Sequence, residues 1–160
     1  MPAVLRHVFL DGEFMERERL LSGLDLAQVT ARPGGATHSI YDELWHAAEW
    51  QRIVVERDED SGEAWAPGGY PFPTEDPATL EEWHGLVERF LRGARQAVAW
   101  AESLEGRGEE LEPGWPVADV LASLAAHNAY HLGKIVALRQ VLGAWPPPEQ
   151  AGGSPEGGAA

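Results

Sequence analysis

Proline and glycine fall in clusters around residues 32–35, 66–77, 106–116 and 145–158, and four long stretches between and before them contain no proline. Each stretch is long enough for a helix of about 20 residues, and a helix interior tolerates proline least. No segment alternates with period two over a strand's length in company with β-branched residues, so the pattern predicts an all-α chain without a sheet.

The first stretch predicts a helix over residues 3–22, with Leu10, Phe14, Leu21 and Leu24 at helical spacing and Gly23 near its stop. Gly12 costs about 1 kcal/mol relative to alanine there and allows a break. The second helix is expected over 39–58, with Ser39 as N-cap and Asp42 reaching back to it. Ile40, Leu44, Ala47, Gln51 and Val54 mark one of its faces, and His46, Trp50 and Ile53 another. The third is expected over 80–104, where Thr79-Leu80-Glu81-Glu82 is a capping box as written. The fourth is expected over 116–142, stopped by Gly143, with a stripe that includes Leu124, His127, His131 and Ile135.

Four such helices predict a four-helix bundle over residues 1–145, followed by a disordered tail over 146–160 whose start Trp145 pins. The connection over residues 59–79 is long. Extended chain covers about 3.3 Å per residue, enough to run the length of a helix of about 30 Å. A crossover there makes the second and third helices parallel.

Composition narrows the function. Twenty-six acidic residues against 12 basic ones give a net charge of −14, a poor match to nucleic acid or an anionic membrane. No apolar run approaches the ~20 residues that span a bilayer. The N-terminus has early charges and no small-residue cleavage signature, so a cytoplasmic location is expected. The chain has no cysteine, which excludes disulfides, thiolate metal sites and a cysteine nucleophile.

The six histidines carry the chemistry. His127 and His131 are four apart and so share one helix face. That spacing alone arises by chance too readily to mean much. Both, however, interrupt an apolar stripe, where two imidazoles need two sets of partners, and burying polar groups without partners costs several kcal/mol. They are either two core histidines with satisfied hydrogen bonds or two ligands of one metal ion. His46 on the second helix is the natural third ligand, at similar depth if the two helix ends share one end of the bundle. Three histidines leave a coordination position open, the catalytic pattern rather than the closed structural one. Glu43 or Glu49 is placed to orient His46. His7 and His84 are further candidates for contacts behind the ligands or with substrate, and His38 is expected to cap a helix or meet solvent. Asn128 is expected to face the bundle and Tyr130 to pack on a neighbouring helix. Glu43-x-x-His46 and Glu81-x-x-His84 also match the Glu-x-x-His unit of di-iron bundles, but the fourth helix has no glutamate to complete that site.

HNAYHLGKIVALRQVLGAW resembles the last helix of the DinB-like metal-binding proteins, and THSIYDELWHAAEWQ resembles their second helix. The resemblance covers about residues 3–145. It implies an up-down-down-up bundle, a homodimer, and His46, His127 and His131 as ligands of one divalent ion: zinc or nickel first, then iron or manganese. Family members of known activity include S-transferases and an isomerase that use low-molecular-weight thiols. The resemblance therefore implies a small-molecule substrate with a thiol cosubstrate. Metal-activated water in a hydrolase, and a non-catalytic metal-binding bundle, are the alternatives. A thiol carrying negative charge needs basic groups nearby, for which Lys134, Arg139, Arg6 and Arg52 are the candidates.

Overall fold

The computed structural model describes residues 2–12, 15–65, 71–103, 110–112 and 114–149. Three long helices dominate: α4 (Ile40–Glu56), α6 (Leu80–Ser103) and α7 (Val117–Val141). Short pieces precede them: α1 (Pro2–Arg6), a π-turn (His7–Asp11), α2 (Arg17–Leu21), α3 (Leu26–Thr30) and a 3-10 turn (Pro33–Gly35). A further helix, α5 (Glu59–Trp65), follows α4. Among the described residues no helix is long and apolar enough to cross a membrane.

The first predicted helix is corrected to a broken segment. Gly12 adopts φ +69°, and a Cβ there would lie 2.5 Å from the Met15 carbonyl oxygen. The chain turns at that point, where a side chain has neither the conformation nor the room. Phe14 lies outside the described residues. Gly23 ends α2's turn at φ +68°, as its position in the sequence suggests.

The chain is all-α as expected, with one short exception to the expectation of no sheet. Residues β1 (Glu110–Glu112) and β2 (Trp115–Pro116) form a two-stranded antiparallel ladder. It is a tight reversal around Gly114, at φ +84°, too short for a period-two signal. The long connection is not wholly extended either, because α5 occupies its first part.

The Ser39 box closes as expected and the Thr79 box only in part. Ser39 Oγ accepts from the Asp42 amide at 3.2 Å, and Asp42 accepts from the Ser39 amide at 2.8 Å. Thr79 accepts from the Glu82 amide at 3.3 Å, whereas Glu82 reaches one residue further back, to the Ala78 amide at 2.9 Å. α7 closes with Gly143 donating to Gln140 and Ala144 donating to Arg139, the paired bonds of a Schellman motif.

α4 packs against both α6 and α7. Arg32 grips Asp42 at the start of α4 and Asp76 just before α6, each at 2.8 Å. Farther along, Gln51 donates to the Phe90 carbonyl at 2.7 Å, so α4 and α6 run in the same direction. The pairs Glu43–His131 and Gln51–Asn128 run in opposite order, so α4 and α7 are antiparallel.

The core has two parts. One gathers Ile40, Leu44, Trp83, Phe90 and Ile135, and the other gathers Leu5, Phe9, Val98, Leu121 and Leu124. Trp145 packs against the first, joined to Pro146 by a cis peptide bond. The chain stays on the body through Pro148, whose ring lies where a Cβ on Gly23 would fall. The remainder of the expected tail, residues 150–160, lies outside the described residues.

Candidate metal centre

α4 and α7 each present their polar residues to the other. Glu43 and His46 are three apart on α4, and His127, His131 and Lys134 are spaced by four and three on α7, so each set lines one helix face. Antiparallel packing then brings the two faces together. One ring nitrogen of each of His46, His127 and His131 lies within 4.8 Å of the others. The Nε2 atoms of His46 and His127 are 3.2 Å apart. Ring centroids are 4.6 Å apart for His46–His131 and for His127–His131, and 5.2 Å for His46–His127. His46 and His131 are buried, and His127 is half-buried.

Two of the rings are held from behind. His46 Nδ1 donates to the Pro71 carbonyl at 2.9 Å. His131 Nδ1 donates to Glu43 Oε2 at 2.6 Å. A hydrogen on Nδ1 leaves Nε2 with its lone pair, so both rings aim an acceptor at the centre of the cluster. The other Glu43 oxygen pairs with the Lys134 ammonium. Phe72 stacks on His46 at 4.8 Å and on His38 at 3.6 Å, so it lies between those two imidazoles.

The electrostatics favour the neutral form of His127 and of His46. Burial, and then the charges of His131 and His46, push His127 down to about 4. Burial also lowers His46, against the Pro71 carbonyl, which acts to raise it. Burial acts to raise Glu43, but its bonds to His131 and Lys134 outweigh that and hold it below the ordinary carboxylate value. Neutral imidazole is the form that binds a metal, and an ionised carboxylate behind it makes it a stronger donor.

The donor set fits a divalent ion. Zinc–nitrogen bonds are about 2.0–2.1 Å long, which places two tetrahedral nitrogen ligands about 3.3 Å apart. The His46–His127 separation of 3.2 Å is that spacing. His127, whose Nδ1 has no partner among the described residues, can donate from Nε2 to His46 Nε2 without the metal, and an ion takes the place of that proton. The three imidazoles can therefore hold one metal ion.

Other candidates sit elsewhere. Glu49 bonds Arg52 at 2.7 Å, and Arg52 is further tied to Glu56 and Asp58, so neither serves the histidines. Glu43 orients His131 rather than His46. Asn128 is the exception: it is buried and donates to Gln51 at 2.8 Å, and its side chain also acts on His127, raising that imidazole against the effect of burial. His84 and Glu81 are exposed on α6, so the di-iron pairing is not built. His7 lies in the π-turn, outside the cluster. Arg6 faces Asp11 at 3.8 Å on the surface. Arg139 is fully buried, donating to the carbonyls of Leu20, Ser22 and Ala144. Tyr130, expected to pack on a helix, is 64% exposed and meets the His131 ring edge-on at 5.1 Å.

Sequence reading missed the Pro71 carbonyl, Phe72, and the role of His38 against it. The signal was present in Pro71-Phe72-Pro73, an aromatic fixed between two prolines in a loop that otherwise has little reason to be rigid.

No curated protein and no solved structure matches the chain. The family model of the DinB superfamily matches residues 10–135, a span that includes all three histidines and Glu43. With that match over most of its length, the chain belongs to the DinB superfamily.

Proposed function

We propose that the protein is a divalent-metal-dependent enzyme whose ligands are His46, His127 and His131, acting as an S-transferase with a low-molecular-weight thiol. The observation that carries this reading is the convergence of three imidazoles, two of them fixed through Nδ1 and the third, His127, only half-buried. Three protein ligands leave a position for a small molecule, as catalytic sites require. With a divalent ion bound, the site supplies positive charge that lowers the pKa of a thiol placed beside it. Family membership supports the thiol class, and the absence of cysteine from the chain means that the thiol comes from a cosubstrate. In the transfer a sulfur–carbon bond forms, the leaving group departs with its electron pair, and the thiol proton passes to solvent.

Glu43 holds His131 in place and stays ionised while doing so. Pro71 and Phe72 fix His46 and cover its face, which excludes water from that side. The bundle is read as up-down-down-up, with residues 2–30 in place of an unbroken first helix. Parallel α4 and α6 and antiparallel α4 and α7 support that reading.

The test is elemental analysis of protein purified without a polyhistidine tag, beside a His127→Ala/His131→Ala variant. About one equivalent of metal is expected in the wild type and none in the variant. The loaded protein is then assayed for thioether formation from small thiols and electrophiles. No metal uptake on addition of zinc, nickel, iron or manganese overturns the reading. Metal uptake with hydrolysis but no thioether formation replaces the transferase by a hydrolase.

A further inference from the structure

A cleft of about 500 Å³ is lined by the 3-10 turn, by Glu43 and by the stretch of α7 from Lys134 to Val141. It touches the metal centre through Glu43, since none of the three histidines lines it. Its walls are largely apolar: Pro33, Ala36, Ala137, Leu138 and Val141. Gly34 and Gly35 adopt φ +62° and +80°, and a Cβ on either would meet nothing within 4 Å, so the turn leaves that rim open. His38 also lines the cleft, with one ring face against Phe72.

The charge in the cleft is unbalanced by exposure. Glu43 and Lys134 form an ion pair there, but the Glu43 side chain is 1% exposed and that of Lys134 is 38% exposed. A molecule entering the cleft therefore meets the ammonium. Lys134 is the single lysine of a chain with net charge −14, set where an apolar wall begins. An ammonium keeps further donors after bonding one carboxylate oxygen.

From this arrangement we propose that the cleft is a binding site for a small carboxylate with an apolar body, coupled to the metal centre through Lys134, Glu43 and His131. The carboxylate bonds Lys134, and the hydrocarbon lies along Ala137, Leu138 and Val141. Drawing Lys134 toward the ligand leaves more of Glu43's charge for His131, which makes that imidazole a stronger donor. The ligand therefore tightens metal binding, and by linkage the metal tightens ligand binding by the same factor. Binding in the cleft stands without the metal; the coupling rests on the metal-site reading above.

Octanoate is the probe, with 1-octanol and octylamine as controls, titrated calorimetrically into metal-free full-length protein. Octanoate is expected to bind and the two controls to bind at least about tenfold more weakly, the worth of one charged hydrogen bond. Lys134→Met is expected to lose about tenfold. Should that variant not fold, Ala137→Asp, an exposed position on the cleft wall, keeps the Glu43–Lys134 pair and places a competing carboxylate beside Lys134. It is expected to abolish binding. Reductive ¹³C-methylation of Lys134 gives a side-chain signal that octanoate should shift. Zinc affinity, measured by chelator competition, should rise about fivefold with octanoate present. No binding of octanoate, or equal binding of octanol, overturns the site. Octanoate binding with unchanged zinc affinity overturns the coupling. Failure of zinc to bind at all refutes the metal reading and the coupling, while the metal-free titration still decides the cleft.

Discussion

Glu43 on α4 and His131 on α7 meet at 2.6 Å, a buried contact between residues 88 positions apart in the chain. It fixes which nitrogen of His131 faces the cluster. Glu43→Gln keeps the shape but removes the charge, and is expected to weaken zinc binding about 10- to 100-fold. Competition with a chromophoric chelator measures this, with the circular dichroism spectrum as a control for folding.

Phe72 covers His46 and reaches it from outside the long helices. Phe72→Ala is expected to free the ring and weaken metal binding by about tenfold, with less effect on stability than a core truncation. Phe72→Tyr, which keeps the stacking ring, should restore most of the affinity. Equal loss in both variants would show that stacking is not the source.

Metal-free protein should lose stability as pH falls from about 6.5 toward 4. His127 is pushed down to about 4 by burial first, from an ordinary value of 6.5. Between those values the unfolded chain holds a proton that the folded one lacks, so stability rises with pH across that window and is fully present above it. Melting temperatures measured at intervals from pH 4 to 8 with a chelator present should show the slope. A flat profile would contradict it.

Gln51 joins three helices: it donates to Phe90 at 2.7 Å and accepts from Asn128 at 2.8 Å. A Cβ on Gly93 would lie 2.4 Å from Gln51 Nε2. Gly93→Ala is expected to cost about 1–3 kcal/mol by overpacking. In a Gln51→Ala background the clash is gone and the cost should largely vanish. Urea denaturation of the two single variants and the double variant measures that coupling.

Arg139 binds the carbonyls of Leu20 and Ser22 at 2.7 and 2.9 Å from a fully buried position near the end of α7. Arg139→Met leaves those oxygens without their donor and should destabilise the fold by about 3 kcal/mol. Arg139→Lys should recover little, because one ammonium cannot copy the planar fork. Hydrogen exchange should speed up most over residues 17–30.

The sequence by itself determined the long helices, their caps and the face that carries the histidines. Those depend on spacing within one helix, on Ser39 and Thr79 ahead of their helices, and on Gly143 at a stop, all interactions between near neighbours. It also determined that Gly12 was the weak point of the first segment, though not that the chain turns there. The tertiary structure decided the partners. Nothing local says that Glu43 serves His131 rather than His46, that a carbonyl at Pro71 holds His46, or that Arg139 is buried against residues 20 and 22. Each of these joins segments distant in the chain, and a contact of that kind is fixed only when packing sets the direction of one helix against another. The metal-capable cluster stands between the two cases. Its residue types and helical spacing were written in the sequence, while its 3.2 Å approach of two imidazoles exists because α4 and α7 pack antiparallel.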